Sequence, residues 1–112
     1  MTPPPVAVVD LAALHCVRGA VPLPDAEAAA LVARLPGWER VGDRIEKTFR
    51  FADYKATIAF VNAVAAIAER EDHHPELRVH YGHCVVAWTT HDAGGVTRND
   101  VACAAQVERL PA

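Results

Sequence analysis

No stretch of this chain gathers lysines and arginines: eleven basic residues are scattered among fourteen acidic ones, leaving a formal charge of -3. Direct binding of nucleic acid is thereby excluded as an expectation, because neutralising phosphates takes clustered positive charge. Cysteine is sparse as well. Cys16, Cys84 and Cys103 form no Cys-x-x-Cys pair and leave an odd thiol, which argues against a secreted disulfide framework and for a reducing compartment. There is no apolar run long enough to span a bilayer, and no basic amino-terminal region followed by an apolar core. The expected location is cytoplasmic, with no membrane partner. The 112 residues suit one domain, and a chain of this size typically buries about two-thirds of its unfolded surface without a metal or disulfide to hold it.

Five of the eight prolines (Pro3, Pro4, Pro5, Pro22 and Pro24) fall within residues 1–24, which read as an irregular proline-containing N-terminal arm ahead of a domain at 25–112. Asp25 is a candidate cap for a first helix over Ala26 to Leu35, stopped by Pro36-Gly37. Trp38 to Val41 and Ile45 to Phe51 read as two strands joined through Gly42-Asp43-Arg44. In the second, Ile45, Lys47, Phe49 and Phe51 alternate with Glu46, Thr48 and Arg50, so one face is buried and the other wet. Asp53 caps a second helix whose apolar positions Tyr54, Ile58, Val61, Ala65 and Ala68 recur at helical spacing. Leu77 to Tyr81 and Cys84 to Thr90 form a second strand pair, with Gly82-His83 in the place of a tight turn requiring positive φ at its first residue. Thr97 caps a last helix carrying Asp100 in its first turn. The expected fold is α+β: a four-stranded antiparallel sheet with helices on one face, in the order α-β-β-α-β-β-α.

The chemistry concentrates between Glu69 and Asp100. His73 and His74 sit where the second helix meets the third strand, and Pro75 biases His74 away from helical geometry, so the helix is expected to end there. His91 follows the fourth strand, whose return brings it towards His74. Histidines titrating near neutrality suit acid/base work or metal binding. The helix C-terminus and the acidic Glu69, Glu71 and Asp72 would raise a nearby histidine's proton affinity. Adjacent histidines at a bend rarely aim both rings at one ion, and no cysteine or carboxylate motif of metal-site spacing accompanies them, so no metal is expected. His15, His80 and His83 read as plain surface residues.

Glu69-x3-His73-His74-Pro75, then Tyr81, His91 and Asp100 at their respective spacings, resemble the signature of the pterin-4a-carbinolamine dehydratases. Leu35-Pro36-Gly37-Trp38, Phe49-Arg50-Phe51-Ala52-Asp53-Tyr54 and Thr90-His91-Asp92-Ala93-Gly94-Gly95 resemble that family's other recurring blocks, and the likeness extends from about Ala26 to Val107. The resemblance implies dehydration of 4a-hydroxytetrahydrobiopterin, a small-molecule pterin, to quinonoid dihydrobiopterin without metal or organic cofactor. It implies His73 and His91 as the acid/base pair and His74 as an orienting group. Glu69, Pro75, Thr90, Asp92, Asp100 and Trp38 would line or support the substrate site. It further implies a homodimer or homotetramer. Members of this fold also act as binding proteins, as dimerisation cofactors of a transcription factor or assembly factors for a carbon-fixing enzyme, which makes a non-catalytic binding protein the alternative. Cys16-Val17-Arg18-Gly19 resembles a lead-in of some bacterial members, to which no role is assigned.

Overall fold

A computed structural model describes residues 11–111. Its elements are α1 (Asp25–Val32), β1 (Glu39–Val41), β2 (Arg44–Arg50), α2 (Tyr54–Glu71), β3 (Glu76–Val79), β4 (His83–Trp88), a short 3₁₀ turn (His91–Ala93) and α3 (Arg98–Glu108). The four strands form one antiparallel sheet in the order β1-β2-β4-β3. The expected α+β architecture and element order are what the chain adopts.

Strand alternation decides which face is covered. Ile45 pairs with Trp88, and Phe49 with Cys84, so these side chains share a face with Val86; Ile45, Cys84, Val86 and Trp88 are wholly buried there. Thr48 and Arg50 point the other way and are exposed. On that outer face Glu46 lies within ion-pair distance of Arg44 (3.4 Å) and Arg78 (3.6 Å), a cross-strand arrangement suited to a solvated sheet surface. Lys47 belongs to the inner face, where its ammonium reaches Glu108 Oε1 (2.6 Å) and the Pro36 carbonyl (2.7 Å).

The helices are set by their caps. Asp53 accepts from Ala56 N at 2.8 Å, fixing the start of α2 as expected. Thr97 caps α3 and forms a reciprocal capping box with Asp100. For α1, Asp25 is instead the first helical residue behind Pro24, and its carboxylate pairs with Arg40 at 3.0 Å. That helix also stops short of Leu35: Leu35 N donates to Val32 O in a tighter turn before Gly37 takes φ 79°. α2 ends earlier than Pro75 would dictate. Asp72 adopts φ 50°, in the left-handed region that terminates helices, and His73 N then reaches back to Ala68 O at 3.1 Å.

The β3–β4 turn also differs from expectation. His80 N donates to His83 O at 2.8 Å, so Tyr81-Gly82 are its two central residues, and Gly82 is not among the glycines with positive φ. Close approach explains the glycine. Phe51 N donates to the Gly82 carbonyl, and a Cβ at Gly82 would sit 3.3 Å from Phe51 O.

Asn99 to Val107 of α3 are buried without a break. A helix with no solvent face needs cover on every side. α2 and β4 provide part of it, and residues 11–23 add to it. Leu11 and Ala12 enter the core, Gln106 donates to the Leu14 carbonyl, and Leu23 N donates to Val96 O.

Candidate active site

The left-handed turn at Asp72 swings His73 off the end of α2 and onto α3. There His73 Nε2 lies 2.6 Å from Asp100 Oδ1. The His73 ring stacks on the buried Trp88 ring, with centroids 5.5 Å apart and planes 16° from parallel. Its side chain is 13% exposed, while that of Asp100 is fully buried. The second oxygen of Asp100 accepts from Thr97 N (2.8 Å) and from the Thr90 hydroxyl (2.9 Å).

Proton positions follow from these contacts. An ionised carboxylate only accepts, so His73 Nε2 carries hydrogen. Thr90 spends its hydroxyl proton on Asp100, so the Thr90–Thr97 contact at 2.8 Å is donated by Thr97. Thr97 Oγ1 in turn accepts from Asn99 N. The network leaves His73 Nδ1 without a hydrogen-bond partner among the described residues. Burial pulls the His73 pKa down, but its hydrogen bond to Asp100, the charge of Asp100 and that of Cys16 outweigh burial and leave it above the ordinary histidine value.

His73 lies in a cleft of about 870 Å³, lined also by Glu71, Asp72, Thr90, Asp92 and Cys16. Glu71 is engaged with residues 15 and 16: His15 Nδ1 (2.9 Å) and Cys16 N (2.8 Å) both contact its carboxylate. Burial raises the Glu71 pKa, but these hydrogen bonds win and hold it below the usual carboxylate value. Cys16 Sγ lies 3.4 Å from Cys103 Sγ and 3.7 Å from the Asn99 carbonyl. That thiol contact lowers the Cys16 pKa against the opposing effect of burial, with help from His73, while the same contact and burial push Cys103 up.

The remaining sequence-predicted residues are distributed around this centre. Glu69 pairs with His74 at 2.9 Å, not with His73, on the exposed side of the corner where His74 is 56% exposed. Pro75 follows directly and leads into β3. His91 is exposed on the 3₁₀ turn; its neighbours Thr90, Asp92 and Ala93 line the cleft while His91 itself does not. Trp38 lies in the core, edge-on to Phe49, with Nε1 donating to Glu108 Oε1 at 2.7 Å, and does not line the cleft. No three His, Cys, Asp or Glu side chains converge as a metal-binding group among the described residues.

Glu71, Asn99, Cys16 and the following arm residues were not singled out as site residues by sequence. Their signals were an acidic helix end, a cysteine without a partner nearby in the chain, and the Cys16-Val17-Arg18-Gly19 lead-in to which no role was assigned. The contacts that recruit them span 55 to 87 residues.

Comparison with known proteins identifies the relatives of this chain. A family model described as pterin 4 alpha carbinolamine dehydratase matches residues 21–110. A Chromobacterium violaceum protein is 51% identical over 104 residues, covering 91% of this chain and 96% of that protein. One from Xanthomonas campestris pv. campestris is 56% identical over 90 residues, covering 79% and 76% respectively. The names of both place them provisionally with the pterin-4-alpha-carbinolamine dehydratases. Among solved structures, a transcriptional coactivator/pterin dehydratase from Brucella melitensis superposes with a TM-score of 0.75 at 31% identity, over 78% of this chain and 95% of that one. A pterin dehydratase-like protein identified as a RuBisCO assembly factor shares the fold, with a TM-score of 0.53 at 24% identity, over 63% of this chain and 82% of its own.

Proposed function

We infer that this chain, which belongs to the pterin 4 alpha carbinolamine dehydratase family, is an active dehydratase of 4a-hydroxytetrahydropterins. In the reaction the C4a–O bond breaks and the oxygen leaves as water after gaining a proton. Loss of the proton on N5 lets its electrons form the C4a=N5 double bond. One water is expelled, and no electron enters or leaves from outside.

The observation that carries the reading is the 2.6 Å contact of His73 Nε2 with the buried Asp100 at the edge of the cleft. With Nε2–H held by the carboxylate, the exchangeable proton of a charged His73 is the one on Nδ1. Delivering it to the leaving hydroxyl returns the ring to the neutral tautomer that Asp100 already binds. A raised pKa keeps more of His73 in the donor form near neutrality. His91 and His74 are the candidate acceptors for the N5 proton, His74 with the Glu69 carboxylate 2.9 Å from its Nε2. Recycling of tetrahydrobiopterin in the cytoplasm by a homodimer or homotetramer is the setting this activity would serve.

The test is dehydration of freshly generated 4a-hydroxytetrahydropterin followed by absorbance, with wild type beside the His73→Ala/His91→Ala double variant and with chelator present. Turnover insensitive to chelator and reduced in the variant by on the order of 10²–10⁴ is the expected result. Wild-type turnover no faster than the spontaneous reaction would defeat it and leave a binding protein on this fold as the reading.

A further inference from the structure

The cleft beside His73 has a wall that the family model does not reach in full. The match begins at residue 21, whereas Cys16 to Pro22 supply half of the cleft's lining residues. Each end of this segment is tied down. Before it, Gln106 Nε2 donates to the Leu14 carbonyl (3.1 Å); at its start Glu71 accepts from Cys16 N (2.8 Å). Asn99 clamps Val17 from both sides, accepting from its N–H and donating to its carbonyl, each at 2.9 Å. Beyond it, Leu23 N donates to Val96 O (2.8 Å). Asn99 and Gln106 are themselves buried. A spectator segment would not need buried amides dedicated to its backbone, which are costly to leave unpaired.

Between the anchors the chain turns at Arg18-Gly19, where Gly19 takes φ 69°. Arg18 therefore stands at the corner of the turn. It is the only lysine or arginine lining the cleft, and it has no hydrogen bond or ion pair among the described residues. The free carboxylates in the lining, Asp72 and Asp92, offer acceptors alone. A 2-amino-4-oxopyrimidine ring presents N–H donors on one side, which such carboxylates satisfy, and a carbonyl oxygen that needs a donor. Guanidinium is the strongest donor the cleft contains, planar and charged at every working pH.

We propose that Arg18 is a specificity-determining residue of the substrate site, donating from the anchored arm to the ring carbonyl of a bound oxo-pterin. The proposal rests on the dehydratase reading and adds to it a binding group outside the histidine cluster. A fixed positive charge does not favour the cation that develops at C4a and N5 as water departs, so Arg18 acts in binding and not in the chemical step.

The test compares wild type, Arg18→Ala and Arg18→Lys in steady-state dehydration. Fluorescence titrations with 7,8-dihydrobiopterin and with a 2,4-diaminopteridine, which carries an amino group in place of the carbonyl, give affinities independent of turnover. Arg18→Ala is expected to raise both KM and the dihydrobiopterin Kd about tenfold, the scale of one charge-assisted hydrogen bond. Its kcat and melting temperature should stay at wild-type values, its affinity for the diamino compound should not fall, and Lys should restore only part of the loss. A variant of unchanged KM and Kd beside an active wild type overturns the proposal while leaving the dehydratase reading intact. A fall in kcat at constant KM overturns it as well. A wild type that neither turns over nor binds dihydrobiopterin removes the dehydratase reading and this inference together.

Discussion

His73 and Asp100 share one carboxylate with the cap of α3: Oδ1 meets His73 Nε2 at 2.6 Å while Oδ2 accepts from Thr97 N at 2.8 Å. The same side chain therefore holds the helix and the histidine tautomer. Asp100→Asn puts an N–H₂ into a position surrounded by donors. If the amide oxygen serves Thr97 and Thr90, the amide nitrogen confronts His73 Nε2 and drives the ring to the other tautomer. Either orientation leaves a buried polar group unsatisfied, which costs about 1–3 kcal/mol. The expected outcome is a lower denaturation midpoint together with a loss in kcat approaching that of His73→Ala, checked by chemical unfolding and steady-state kinetics on both variants. An Asn variant that loses stability but keeps kcat would confine Asp100 to capping.

The raised His73 pKa fixes the direction of a pH effect on stability. A pKa that is higher in the folded protein than in the unfolded chain means that folding favours the protonated ring. The stabilisation is fully present below the unfolded value of about 6.5 and is lost as pH rises through the raised folded value. Relative to His73→Gln, wild type should therefore gain its largest advantage on the acid side and lose part of it on passing neutrality. Urea unfolding of the two proteins across this range measures the difference. A gap that widens with rising pH would contradict the shift.

Three thiols in different surroundings give a chemical reading of the cleft. Cys16 is partly exposed, lines the cleft and has a lowered pKa, whereas burial raises Cys84, and Cys103 is raised by its thiol contact with Cys16 and by burial. Iodoacetamide at neutral pH should label Cys16 first, with Cys84 and Cys103 reacting only on denaturation. His73→Ala should slow the labelling, because the imidazolium is one of the groups that lowers the Cys16 pKa. Mass spectrometry of timed digests follows each site, and equal labelling of all three thiols in the folded protein would refute the ordering. Loss of dehydratase turnover in step with Cys16 modification would tie the cleft to substrate.

The elements legible in the sequence are those written by local rules. The strand read from the alternation after Ile45, the helix read from Tyr54 to Ala68, and the Asp53 and Thr97 caps require no distant partner and all form, although β2 ends at Arg50 and, within the helix, Tyr54 and Ala65 are exposed while Thr57, Val64 and Ile67 are buried. Boundaries shifted where a neighbour overrode propensity: Asp72, not Pro75, closes α2 because a left-handed residue ends a helix more abruptly than a proline downstream. Site pairings were less legible. Spacing sets Glu69 one turn before His73, but the turn at Asp72 hands Glu69 to His74 and sends His73 to Asp100. The arm was least legible, because proline-broken sequence signals irregularity and nothing local says that its backbone docks on Asn99, Gln106 and Glu71.

Trp38 separates a core role from a substrate role by experiment. Its indole N–H donates to Glu108 Oε1 at 2.7 Å, and the same oxygen receives Lys47 Nζ at 2.6 Å, so one carboxylate joins the residue after α1's exit turn, β2 and the end of α3. Replacing Trp38 with Phe keeps an aromatic ring against Phe49 but removes the hydrogen bond and part of the buried area. A loss of about 1–3 kcal/mol is expected from the two effects together. Glu108→Gln should also destabilise, since it leaves a mostly buried ammonium without its counter-charge. Both variants should hold wild-type KM for the pterin, because neither Trp38 nor Glu108 lines the cleft. Unfolding curves read the first effect and steady-state kinetics the second. A rise in KM for Trp38→Phe without loss of stability would move Trp38 from the core of the domain to the wall of its substrate site.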